Sequence, residues 1–274
     1  MRFIPFFLVA IVLVGCNGNS ASNNNSDTKQ PTIVLTFDDV FVENWHSASS
    51  ELLNRGVTAT FFVSDYGNPN KVYNTRLEPK QSLLKDLEQK GFEIAQHSYN
   101  HENSKDYIEK HGIDKWFKNE VSRSTCYMLE DGFNLFSYAY PHSNSNTDKS
   151  DALLFNHFDS IRLYPPKGSD ISTGINGKNQ KIFMSTPIDE QKTSLNNIKL
   201  LVDRVINTDS IVILAAHDIS NYSDNHLYIK TEQLLDLVDY ALQKGVKFTN
   251  FKDIVGNKKL EYSDFGCSEL EEDI

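Results

Sequence analysis

Short runs of β-branched and aromatic residues recur along this chain, and a helical stretch separates most of them from the next. Ile33-Val34-Leu35 is the first run, Thr58 to Val63 the second and Phe92-Glu93-Ile94-Ala95 the third. Leu135 to Tyr140, Phe158 to Arg162 and Ile182-Phe183-Met184 follow, then Ser210 to Leu214 and Val246-Lys247-Phe248. Helix character is read at Asn44 to Asn54, Lys80 to Lys90, Ile113 to Glu130, Asp148 to Asn156, Ile188 to Ile206 and Thr231 to Lys244. Such alternation predicts a parallel sheet, and seven or so units in one domain favour a closed barrel over an open sheet. The strand order is not legible from the runs. Parallel strands share one rim, so polar clusters at their exits become neighbours in space.

Those exits carry the reactive residues. The first strand closes on Thr36-Phe37-Asp38-Asp39. Neighbours on an ideal strand point to opposite faces, so both carboxylates can serve one site only if the chain bends there. The plainer alternative is an acidic loop that caps the next helix. The third strand runs into Gln96-His97-Ser98-Tyr99-Asn100-His101, where one helical turn would set both imidazoles on one side, as a single divalent ion requires. Surface histidines in a polar loop are the alternative. Asp39 would complete three protein ligands with positions open to water, the pattern of a catalytic metal site. Further along, Leu135 to Tyr140 ends in Pro141-His142, and the clearest buried strand ends at Ala215-Ala216-His217-Asp218.

The two ends of the chain read differently from its middle. Met1 to Val14 holds one charge, Arg2, and an apolar segment of roughly a dozen residues, too short for a stable span but suited to a secretory signal. Leu13-Val14-Gly15-Cys16 resembles a bacterial lipoprotein cleavage box, which would make 1–15 a signal peptide and Cys16 the lipidated first residue. A plain signal peptide or a signal anchor is the alternative. Residues 16–30, rich in Asn and Ser, read as a flexible tether, and 257–274 as an acidic tail. Acyl chains would hold the protein at a bacterial membrane, outside the cytoplasm, with no other membrane contact. Against 27 basic residues stand 37 acidic ones, a net charge of −10 with no basic block, which argues against a nucleic acid partner. Cys126 and Cys267 would lie in an oxidising compartment; their distance in sequence leaves pairing open.

Taken together, Thr36-Phe37-Asp38-Asp39 and His97-Ser98-Tyr99-Asn100-His101 resemble the first two motifs of the polysaccharide deacetylases, the NodB-homology group or carbohydrate esterase family four. Leu214 to Asp218 resembles the late motif that supplies a histidine. The resemblance covers 31–256 and implies a distorted (β/α)7 barrel that removes acetyl groups from a glycan with a divalent metal: zinc, with cobalt or nickel as alternatives. It implies Asp38 as general base, Asp39, His97 and His101 as metal ligands, and His217 as the acid that protonates the leaving group. The backbone amide of His142 would hold the oxyanion.

Three departures stand out. Ala139-Tyr140-Pro141-His142 lacks the arginine usual in the third motif, and Arg162 on the next strand is the candidate to replace it, with an outward salt bridge as the alternative. The fourth motif has no clear match, so the carboxylate that tunes His217 cannot be named. Ala215 stands where the family usually has Leu, which would widen the acetyl pocket. Tyr138, Tyr140, Tyr164 and Trp45 are candidate sugar-stacking faces or core residues. His46, His111, His157 and His226 show no ligand pattern. An N-acetyl glycan is the leading substrate, and the loops Ser64 to Pro79 and Pro165 to Gln180 are read as groove walls. An O-acetyl ester deacetylase, or a glycan-binding lipoprotein without turnover, is the rival.

Overall fold

The computed structural model describes residues 30–222, 227–256 and 260–270; Cys16, the signal and tether segments and His226 lie outside them. In chain order the elements are β1 (Thr32–Asp39), α1 (Val42–Leu53), β2 (Thr60–Val63), α2 (Lys80–Gln89), β3 (Glu93–Gln96) and α3 (Ser104–His111). Next come α4 (Ile113–Trp116), a π-helical segment Phe117–Ser122, α5 (Arg123–Glu130), β4 (Ser137–Ser143), α6 (Asp148–Leu154) and β5 (Ser160–Tyr164). The second half contains β6 (Ile175–Asn176), β7 (Ile182–Met184), β8 (Thr186–Pro187), α7 (Leu195–Val205), β9 (Ile211–Ala216), β10 (Asp218–Ile219) and β11 (Tyr228–Ile229). It closes with α8 (Thr231–Gln243), β12 (Lys247–Thr249), α9 (Lys252–Val255) and α10 (Cys267–Leu270).

The main sheet runs β6-β9-β1-β2-β3-β4-β5-β7, with β12 also on β1 and β8 on β9. Every pairing from β9 through β1 to β7 is parallel, and only β6 runs antiparallel. The sheet curls into a nearly closed barrel of the distorted (β/α)7 type, so the expected fold is the one observed. All these C-terminal strand ends meet at one mouth.

Strand alternation divides the core in two. Ile33, Leu35 and Phe37 point outward into the layer between sheet and helices, with Trp45 and Phe61 among their neighbours. Val34 points inward and shares the barrel interior with Phe62, Ala95, Ala139, Phe183, Ile213 and Phe251. Small Ala95 and Ala139 leave room for three phenylalanines, whose rings meet edge to face at 5.7 Å and 5.4 Å. Each such ring removed from water contributes about 1.5–3 kcal/mol. Asp38 has the same inward parity as Val34, so it caps this apolar plug.

Several segments depart from the sequence reading. Ile188 to Ile206 is helical only from Leu195, where Ser194 accepts a hydrogen bond from the Asn197 amide; β8 just before this stretch pairs with β9, and Ile188 donates its amide to the Ala215 carbonyl at 2.8 Å. The helix Ser104–His111 was not anticipated, although Asn103 caps it by accepting from the Asp106 amide. The expected single helix from Ile113 is wound as a π segment in its middle. Cys126 and Cys267 are joined by a disulfide, Cα–Cα 5.5 Å. With Leu260, Phe265 and Cys267 buried, residues 260–270 of the expected acidic tail are docked on the barrel.

Candidate metal and acid–base centre

At the top of β1 the backbone turns left-handed: Asp39 has φ 84°. That single bend brings the Asp39 carboxylate to the mouth that Asp38 already faces. His97 follows the last residue of β3 and is buried; its Nδ1 donates to the Ala139 carbonyl at 2.8 Å, which leaves the Nε2 lone pair free. Nε2 of His97 lies 3.5 Å, and Nε2 of His101 3.0 Å, from Asp39 Oδ1.

The two histidines do not converge by a helical turn, as their spacing suggested. Ser98 (φ 70°) and His101 (φ 59°) are both left-handed, so a tight irregular loop carries them. Buried Glu120, in the π segment, accepts from Ser98 Oγ (2.9 Å), the Asn100 amide (3.0 Å) and Asn100 Nδ2 (2.6 Å). Ser98 Oγ in turn accepts from the His101 amide at 2.9 Å. A π bulge of this kind often accompanies a functional site.

Asp39, His97 and His101 offer three ligand atoms within 4.8 Å of one another. The Asp39 Oδ1 atom is buried and has no well-formed hydrogen bond, so the donor set fits a divalent cation bound by two neutral imidazoles and a carboxylate. Burial alone would raise the Asp39 pKa, but His101 and His97 beside it outweigh burial and hold it well below the usual carboxylate range.

Asp38 pairs with Arg162, both fully inside the barrel. Arg162 also lies over the Phe62 ring at 5.1 Å, while its Nε and Nη1 have no hydrogen-bond acceptor. On the opposite side of the mouth His217 follows β9. Its Nδ1 is 3.0 Å from Asp189 Oδ2, and its amide donates to Asp189 Oδ1 at 3.1 Å. Burial would lower the His217 pKa, but the Asp189 carboxylate, reinforced by Asp39 and Asp38, raises it to about 9. Asp189 is the carboxylate partner that the sequence did not disclose: one acid after Pro187-Ile188, in a stretch read as helix, carries no spacing signal. Trp45 Nε1 fixes the same corner by donating to the His217 carbonyl at 2.8 Å.

The remaining candidates separate cleanly. Tyr140, expected at the substrate, is fully buried; it stacks on Trp116 at 6.1 Å and donates to Asp151, so its ring cannot reach a sugar. Tyr138 and Trp45 are likewise core residues. The register of β4 shifts between Ala139 and Ser143, and this irregularity turns His142 (φ 60°) out to the mouth, its ring 4.7 Å from His101. Burial and the neighbouring His101 lower the His142 pKa. Tyr164 remains at the site, its ring 5.8 Å from His217. Away from it, His46 pairs with Asp86 at 2.6 Å and His157 stacks between Phe117 and Phe265.

Residues 25–154 match the family model for polysaccharide deacetylases. Over that stretch, a little under half of the chain, the sequence is similar to that family. The fold is shared with a carbohydrate esterase family four pseudoenzyme from Bacillus anthracis, 16% identical over 85% of this chain and 68% of that one, TM-score 0.54. The peptidoglycan deacetylase PdaC of Bacillus subtilis is 15% identical over 90% and 96% of the two chains, TM-score 0.53. A chitin deacetylase from the fungal pathogen Colletotrichum lindemuthianum is 16% identical over 86% and 93%, TM-score 0.52. No curated protein sequence matches the chain.

Proposed function

We propose that this protein is a metal-dependent deacetylase that removes N-acetyl groups from a polysaccharide or oligosaccharide. The observation that carries the reading is the meeting, at one mouth, of a buried Asp38–Arg162 pair, the Asp39–His97–His101 set and the His217–Asp189 pair. Zinc, or cobalt or nickel, held by Asp39, His97 and His101 would polarise the acetyl carbonyl and acidify the attacking water. Asp38, oriented by Arg162, accepts a proton from that water. Arg162 holds that carboxylate aimed at the mouth. His217 carries a proton at neutral pH because Asp189 stabilises its cation, and it delivers that proton to the leaving nitrogen. The backbone at His142, turned to the mouth, is the candidate donor to the oxyanion.

Glycan substrates are named for the neighbours of this fold, peptidoglycan for one and chitin for another. A pseudoenzyme with the same fold, active again in mutant form, is a reminder that architecture alone does not decide turnover. Here the acid, the base and their partners are all present, which favours the enzyme over the silent glycan binder. Acetate release from chitooligosaccharides and from acetylated xylan, with Asp38→Asn as control, tests the reading and separates amide from ester substrates. Metal-dependent release lost in the variant supports it; no release from either substrate favours the binder.

We also propose a lipid-anchored position outside the cytoplasm. The apolar segment before Cys16 motivates it, and the Cys126–Cys267 disulfide is of a kind that persists in oxidising compartments. No described helix is long and apolar enough to cross a membrane. Radiolabelled palmitate incorporation that disappears in Cys16→Ser would support the anchor; unchanged membrane release of the variant would count against it.

A further inference from the structure

The loop that carries His97 and His101 takes its shape from the π segment Phe117–Ser122 behind it. Besides the three bonds to the Glu120 carboxylate, the Tyr99 amide donates to the Glu120 carbonyl at 2.9 Å, and Gln96 Nε2 donates to the Val121 carbonyl at 3.1 Å. Glu120 is fully buried, so water does not compete for these contacts. The metal ligands are only as well placed as the segment that braces them.

That segment has the rarer of the helical windings. A π bulge carries one residue more than an α-helix of the same length, so its relaxation would turn one flank against the other by about 100°. Glu120 lies inside the bulge, and such a turn would carry its carboxylate off the loop. Both flanks must be held.

The far end of the chain holds them. On one flank the Phe265 ring stacks on Phe117, the first residue of the π segment, at 6.1 Å and 11°, and the His157 ring closes on Phe265 at 4.6 Å. On the other, Cys267 is joined to Cys126 in α5, which continues directly from the segment. Gly266 between them has φ 62°, a left-handed turn that glycine adopts without penalty. Phe265 and Cys267 are both buried, so this short clasp belongs to the packed interior. A cavity of about 250 Å³ borders Phe117, Ser122 and Phe265, which gives the π segment room to shift once the ring is removed.

We propose that Phe265 is a positioning residue for the metal centre and that the Cys126–Cys267 disulfide holds it in place. Together they keep the π segment in the register that sets Glu120 against the loop of His97 and His101. The inference rests on the reading of Asp39, His97 and His101 as metal ligands. It adds that the end of the chain, outside the mouth, sets how tightly the centre binds.

The test is calorimetric zinc binding to the full chain, measured well below each variant's melting temperature. Phe265→Ala weakens binding about tenfold, and Phe265→Leu, which keeps most of the buried volume, stays close to native. Cys126→Ala combined with Cys267→Ala, which leaves neither cysteine as a thiol to capture zinc, weakens it severalfold while sparing the ring. In the Glu120→Gln background the Phe265→Ala change adds less than about twofold, because both residues act through one path. Native zinc affinity in Phe265→Ala, with only the melting temperature lowered, marks a purely structural clasp and overturns the proposal. An undiminished loss in the Glu120→Gln background overturns it as well. Should Phe265→Ala fail to fold, the cysteine variant decides by the same comparison of zinc affinity with melting temperature. No zinc bound by the native protein would instead overturn the metal-centre reading, and this inference with it.

Discussion

Glu93, fully buried, and Asp39, partly buried, are carboxylates at opposite ends of the same barrel, and the chain treats them in opposite ways. Glu93, at the entry end of β3, accepts from Ser137 Oγ (2.6 Å), Thr60 Oγ1 (2.9 Å) and the Lys252 amide (2.8 Å). One carboxylate thereby ties β2, β3, β4 and α9 at the closed end. At the mouth, Asp39 Oδ1 and two nitrogens of Arg162 are buried without hydrogen-bond partners. Glu93 is satisfied within the protein, whereas these groups at the open end keep capacity for something from outside.

Substitutions can break or sharpen that contrast. The largest effect on turnover is expected for Asp38→Asn, which keeps the shape beside Arg162 but removes the proposed base; acetate release should fall roughly a hundred- to ten-thousand-fold, and the melting temperature should drop too, because the buried Arg162 charge loses its partner. Glu120→Gln acts one shell further out. It loosens the left-handed loop that carries His97 and His101, and calorimetric zinc affinity should drop about 10–100-fold. Equal affinity would show that the loop holds its shape without Glu120.

Asp189→Asn comes next and is read as a pH profile. His217 has a pKa of about 9 in the folded protein against an ordinary value of 6.5. A group raised on folding contributes stability that is fully present below the ordinary value and is lost as pH rises through the folded one. The native protein should therefore lose stability between about pH 6.5 and 9, and the alkaline limb of its activity should lie near 9. Asp189→Asn should flatten the first and move the second toward neutrality. The smallest effect on the site is expected at the closed end: Glu93→Gln should cost about 1–3 kcal/mol of stability in chemical denaturation and leave zinc affinity unchanged.

The same contrast governs what could be read from the sequence. Asp38, Asp39, His97 and His101 were legible because each lies at the end of an apolar run, and strand exits of a parallel barrel share a rim. Their route to one another was not. The left-handed turns at Asp39, Ser98 and His101 break the local regularity on which the helical-turn expectation for the two histidines relied. Asp189 was invisible because its role depends on β8 lying beside β9, a pairing that no periodicity announces. Tyr140 was ambiguous for a related reason: an aromatic next to a functional motif can face the site or the core, and the Asp151 carboxylate draws this one inward. The disulfide, whose cysteines stand 141 positions apart, depended on where residues 260–270 dock.

Acetate released from N-acetylglucosamine oligomers, measured for the same preparation after exhaustive chelation and after zinc is restored, tests the account most directly. It predicts release that disappears on chelation, returns with zinc and stays absent in Asp38→Asn. Full release from chelated protein, or zinc-restored release that survives in Asp38→Asn, would contradict it.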